Sequence, residues 1–216
     1  MLSAPAIVAM HDQRTRAWHQ QAETPREDAS PSDVDNAADS KPAGWLRMLA
    51  LHHRANFDLW HIEDEARAPG ATDAELAAVK RRIDTANQLR NDLTEQLDRA
   101  LITWLEERGL PNPAAPLNSE SPGLIIDRLS ILSLKIYHTE EEAVRNGAPP
   151  DHASRNRERL AILQEQRADL AGCLDALWRE TLGGTRRFKL YRQLKMYNDP
   201  SLNPAIYRKK GAVEGH

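Results

Sequence analysis

Three stretches of this 216-residue chain set ionisable and amide side chains among apolar ones at helical spacing. In LHHRANFDLWHIEDEAR, residues 51–67, His52, Asn56 and Glu63 share one stripe of a helix while Phe57, His61 and Asp64 share the next. In IDTANQLRNDLTEQLD, residues 83–98, Asp84, Gln88, Asn91 and Glu95 recur at spacings of four, three and four, with Asn87 beside them. Asn is a poor helix former, because its short amide competes for backbone hydrogen bonds. Two Asn and a Gln in mid-helix therefore point to tertiary partners. The third stretch, PGLIIDRLSILSLKIYH, residues 122–138, is apolar around nearly its whole circumference yet carries Asp127, Arg128, Ser130, Ser133, Lys135 and His138. A helix apolar on all sides belongs inside a bundle. Ionisable groups there must be paired, hydrogen-bonded or kept for function.

Such a set has three physical meanings. It is a structural network that fixes the register of the helices; or a pocket for an anionic small molecule; or a metal site. In the pocket, Arg128 and Lys135 take the negative group, while Asn56, Asn87, Gln88 and Asn91 orient polar atoms. Asp84, Asp127 and His138 complete the lining, and His61 with Glu63 or Asp64 supplies the acid/base pair. In the network, the partners expected for Arg128 and Lys135 are Glu63, Asp64 and Asp84. Helical di-iron bundles use Glu-x-x-His twice, and only His61-x-x-Asp64 occurs here, so no metal ligands are assigned. The sequence names no cofactor and leaves enzymatic turnover open.

The elements that must position these groups are helices. Aromatics are 5% of residues, β-branched runs are scarce, and Ala, Leu, Arg, Glu and Gln abound, which predicts an all-α fold. A first helix is expected from about Ala4 to Gln21. Residues 23–44 lack large apolar side chains and read as a flexible linker. The second helix runs from near Trp45 to Ala68 before Pro69 and Gly70. The third opens on a capping box, Thr72 with Glu75, and meets no breaker until Gly109. Leu76, Val79, Ile83, Ala86, Leu93, Leu97, Leu101 and Trp104 form its expected buried stripe. The fourth has Ser121 as N-cap and Pro122 at its first position and runs to Asn146 and Gly147. Ser119, Ser121 and that helix N-terminus could also hold a phosphate or carboxylate. The fifth covers Asp151 to Leu182, with Leu160, Leu163, Leu170, Leu174, Leu177 and Trp178 facing inward. It ends at Gly183 and Gly184.

Short connections predict an up-and-down bundle of four to five long antiparallel helices, followed by a short helix RRFKLYRQLKMY and an extended tail. The divisions are residues 1–22 as a helix packed on the bundle, 23–44 as linker, 45–183 as the bundle core and 184–216 as tail. Cys173 alone excludes an intramolecular disulfide and reads as a small buried hydrophobe, compatible with a reducing, cytoplasmic setting. No signal peptide and no apolar run of about twenty residues is found, so a soluble protein is expected. A homo-oligomer is compatible with the sequence.

The net charge of −3 conceals a divided molecule: residues 184–216 hold eight Lys/Arg against Asp199 and Glu214. An acidic body excludes a protein that coats nucleic acid with its whole surface. Only the tail, where Arg187, Lys189, Arg192 and Lys195 alternate with Phe188, Tyr191 and Tyr197, could bind RNA. It could equally dock Phe188, Tyr191 and Leu194 on the bundle, with YNDPSLNP covering one mouth.

LHHRANFDLWHIEDEAR, NQLRND, SPGLIIDRLSILSLKIYH and YRQLKMYNDPSLNP together resemble the bacterial family known as domain of unknown function 4254. The resemblance spans nearly the whole chain apart from residues 23–44 and the last few. It implies an α-helical domain without an assigned activity, and a pathway setting beside glycosyltransferases of envelope glycan synthesis. RIDTANQLRNDL is also distantly similar to the helical chorismate mutases, which bind a dianion between helices with Arg and Lys, but their full residue set is not matched.

Overall fold

The computed structural model describes residues 2–20, 42–192 and 201–204. It is all-α. The helices are α1 (Ala4–Gln20), α2 (Pro42–Glu65), α3 (Asp73–Glu106), α4 (Pro122–Ala143) and α5 (His152–Leu182). Local chemistry sets several of their ends, although α2 starts and stops three residues earlier than expected and α4 ends at Ala143, before the expected Asn146 and Gly147. Thr72 and Glu75 close a full capping box on α3, Ser121 caps α4 with proline next to it, and Gly147 and Gly184 take φ of 73° and 70°, where a Cβ would be strained. Of the expected linker, residues 23–41 lie outside the described residues, and 42–44 already belong to α2.

Consecutive helices pack on one another, α2 on α3 and α4 on α5, which is what an up-and-down order requires. The N-terminal helix α1 lies chiefly against α4. The main core gathers Leu93, Leu97, Leu101 and Leu105 of α3, spaced four apart and fully buried, with Trp45, Leu49, Ile126, Leu129, Leu174 and Trp178. Leu105 thus takes the inward place expected of Trp104, which is only partly covered and carries the Arg108 guanidinium over its ring at 3.8 Å. The first turns of α3 stand out of the bundle. Leu76 is exposed, and Ile83 joins Leu59 and Ile62 of α2 in a small separate cluster. On α5, only the C-terminal members of the expected stripe, Leu174, Leu177 and Trp178, are buried.

At the base of α4, Gly123 permits a close approach: a Cβ there would sit 2.7 Å from the Thr94 carbonyl oxygen and 2.8 Å from Asp98 Cγ. That closeness lets the Gly123 N–H donate to Asp98 Oδ1 at 2.7 Å while the Ser121 hydroxyl donates to Oδ2. The anion expected at this helix N-terminus is therefore a carboxylate of the protein itself. Burial pushes Asp98 up to about 6, against the pull of its two donors.

The predicted sixth helix is corrected over its described part. Residues 186–192 are not helical, because Arg187 is drawn into pairing with the loop before α4: its N–H donates to the Pro116 carbonyl (3.0 Å) and its carbonyl accepts from the Asn118 N–H (2.7 Å). Phe188 does dock, buried in the core, whereas Tyr191 is exposed. Leu194, Lys195 and Tyr197 lie outside the described residues. Among the described residues no helix is long and apolar enough to cross a membrane.

Candidate functional site

The polar groups singled out from the sequence separate into three places. The first is the junction of α2, α3 and α4, where Asp127 turns inward. Its Oδ1 accepts from His52 Nε2 (3.0 Å) and from the Asn56 amide (3.0 Å), with Arg90 Nε at 3.8 Å. Burial alone would raise the Asp127 carboxyl. The hydrogen bond and charge of His52, with the charge of Arg90 and the Asn56 amide, outweigh it and hold the group below its ordinary value. Beside this cluster His53, wholly buried, is bound on both sides. The Nε2–H must donate to the His11 carbonyl (3.0 Å), with Thr15 Oγ1 at 2.9 Å, so Nδ1 accepts from the Ser130 hydroxyl at 2.8 Å. Burial holds His53 down at about 3, a neutral ring. Asn91 is buried nearby on α3.

The second place is a groove of about 540 Å³ between α4 and α5, lined by Arg128, Ile131, Leu132 and Lys135 on one side and Gln166, Asp169, Leu170 and Cys173 on the other. Arg128 and Lys135 were expected inside the bundle. They are seven residues apart on α4 and share the stripe that packing leaves uncovered, so both are exposed. Neither meets Glu63, Asp64 or Asp84. Arg128 pairs with Glu120 at 2.9 Å, Glu63 with Arg67 at 3.2 Å, and Asp84 with Lys80. Gln88 donates to Asp92 along the exposed side of α3, and Asn87 is half-buried. Cys173 is exposed in this groove rather than buried, because the outward stripe of α5 passes through it.

The third place joins His61 of α2 and His138 of α4 to His19 of α1, which the sequence had not singled out. One ring nitrogen from each lies within 4.8 Å of the others, close enough for the three to hold a metal ion together. The walls are aromatic: Tyr137 stacks on His19 at 4.2 Å, Trp60 on His138 at 4.8 Å, and Phe57 leans on His61 at 4.4 Å. Burial, with mutual repulsion, holds His19 and His138 below the ordinary histidine value. Exposed Asp64 is near enough for its charge to act on His138. The only trace of His19 in the sequence is its spacing from Thr15, whose carbonyl its Nδ1–H reaches at 2.8 Å. His61 repeats that i−4 anchor on Phe57 at 2.8 Å.

Residues 46–190 match the family described as protein of unknown function (DUF4254). The chain belongs to that family. The matched stretch contains the Asp127 cluster, the α4/α5 groove, His61 and His138, while His19 lies before it. Neither a curated protein nor a solved structure matches the chain.

Proposed function

We propose that this protein binds an anionic small molecule, sugar- or nucleotide-bearing, in the groove between α4 and α5, and serves envelope glycan metabolism in the cytoplasm. The observation that carries the binding is that Arg128 and Lys135 line the same groove. Two cations on one rigid helix, flanked by apolar Leu132 and faced by Gln166, Asp169 and Leu170, suit a ligand with a phosphate or carboxylate and a less polar body. The pathway part rests on the family resemblance alone.

The test is calorimetric titration of the wild type, Arg128→Met and Lys135→Met with a nucleoside diphosphate sugar and with inorganic phosphate. Each substitution should weaken binding by roughly tenfold, the loss of one charge-assisted contact of about 1.4 kcal/mol. Both side chains being exposed, the melting temperature should stay within about 1 °C of wild type. Equal affinity in all three proteins would remove the groove from consideration.

A second reading is favoured by the α2/α3/α4 junction. Asp127, His52 and Asn56 close on one another, so this junction acts as internal glue that sets how the three helices meet.

A further inference from the structure

The imidazoles of His19, His61 and His138 have no part in that reading, and their protonation can be deduced from their partners. A carbonyl oxygen only accepts, so Nδ1 of His19, which contacts the Thr15 carbonyl, and Nδ1 of His61, which contacts the Phe57 carbonyl, must carry the proton. Nδ1 of His138 faces the Glu141 carboxylate at 3.0 Å and donates likewise. A neutral imidazole has one N–H. In the neutral form of each ring, then, Nε2 is a bare lone pair, and those of His19 and His138 are buried without a hydrogen-bond donor.

One ring nitrogen from each of α1, α2 and α4 lies within 4.8 Å of the other two. With every Nδ1 tied to its own helix, the Nε2 acceptors are the atoms left to meet, and among the described residues no donor reaches those of His19 and His138. A single water could donate to only two of them. A cation satisfies all three. The supports also match what metal-bound histidines use, an Nδ1–H held by a carbonyl or carboxylate that fixes the tautomer and aims Nε2. The stacked Tyr137 and Trp60 restrict ring rotation further.

We propose that His19, His61 and His138 form a three-histidine site for a divalent transition ion of the zinc class, bound through Nε2, with the remaining position open to water or an anion. Three neutral nitrogen donors without a carboxylate or thiolate select zinc, cobalt, nickel or copper over magnesium and calcium. Zn–N bonds of about 2.0–2.1 Å place tetrahedral ligands about 3.3 Å apart, so side-chain torsions must close the widest gap by roughly 1.5 Å. Three protein ligands and one open position are the pattern of reactive rather than purely structural zinc sites. Glu141, by holding His138, is a positioning residue.

The experiment is titration of the chelator-treated full chain with Zn²⁺ by calorimetry and with Co²⁺ by visible absorption. One ion per chain is expected, with cobalt bands intense enough for four-coordinate geometry. Ala at His19, His61 or His138 should each lower affinity on the order of a hundredfold, and Glu141→Gln by about tenfold. His152→Ala, a histidine paired with Glu142 elsewhere on the protein, should leave affinity unchanged. Should an alanine variant fold poorly, the wild type decides by itself. Co²⁺ should shift or broaden the ring-proton NMR signals of three histidines, and Zn²⁺ should perturb the same three. Absence of stoichiometric binding, or broadening of other histidines, overturns the site, as does undiminished affinity in folded His61→Ala and His138→Ala.

Discussion

Two groups of histidines lie two turns apart along one stripe of α2, joined through Trp18 and Phe57, and they have opposite electrical design. Around Asp127 and His53, donors meet acceptors: His52 and Asn56 give protons to a carboxylate, and His53 gives one to a carbonyl and takes one from Ser130. Around His19, His61 and His138, every proton is spent outward on Thr15, Phe57 and Glu141, and the acceptors are left facing inward. In the first arrangement the protein itself supplies the partners of the Asp127 carboxylate and of both His53 nitrogens, although His52 Nδ1 and Arg90 Nε stay without a hydrogen bond. The second is an incomplete coordination shell. Histidine content alone does not separate glue from site; the direction in which each ring spends its one proton does.

If the contrast holds, the two regions should respond oppositely to mutation. The largest mutational effect belongs to Asp127→Ala, which leaves His52 and Asn56 without their shared acceptor and Arg90 without the neighbouring charge. It should cost about 3 kcal/mol in urea unfolding. A loss under about 1 kcal/mol would show that the junction is not glue.

Acid should expose the same region by another route. His53 stays neutral in the fold down to about 3, while the unfolded chain takes up a proton below 6.5. Its contribution is therefore intact above pH 6.5 and is lost as pH falls toward 3. Burial lowers His11 as well and adds in the same direction. Unfolding free energy should drop by on the order of 3–4 kcal/mol between pH 7 and pH 4. His53→Gln should flatten that fall.

Asp98 provides the opposite sign. Its folded value of about 6 lies above the ordinary 3.8, so its contribution is full below 3.8 and is lost as pH rises through 6. The stability of Asp98→Asn relative to wild type should accordingly improve by about 2–3 kcal/mol from pH 4 to pH 7. No change across that range would mean that Asp98 ionises freely at the α4 N-terminus.

The smallest stability effect is expected at the open cluster. His61→Ala loses one local hydrogen bond and ring contacts on half-buried groups, a cost of about 1 kcal/mol in metal-free protein. In the presence of Zn²⁺ the gap from wild type should widen, because only the wild type gains from binding. A large cost without metal would place these rings with the glue.

Capped helix starts and turn glycines were the most legible part of the chain, while the last turns of α2 and α4 stop three to four residues short of the expected breakers. Thr72 with Glu75, Ser121 with Pro122, and Gly147 and Gly184 act within a few residues of themselves, so their meaning survives without knowledge of the fold. The candidate site was less legible. That His61, His138, Asn56 and Asp127 would sit among other polar groups could be read from their stripes, but the gathering of Arg128 and Lys135 with Asp84 and Glu63 does not occur. Spacing shows which side chains share a stripe and not which stripe a neighbour covers. His19 was invisible for the same reason, since its partners come from two other helices.

The sequence by itself determined an all-α chain, the capped starts of α3 and α4, and the family, because periodicity, caps and breakers are short-range properties. Tertiary structure alone decided that Asp127 turns inward while Arg128, one residue on, turns out, and that α1 brings His19 to His61 and His138. The physical reason is rotation: a helix sets the angles between its own side chains, but only packing against all its neighbours sets the rotation of the helix about its axis.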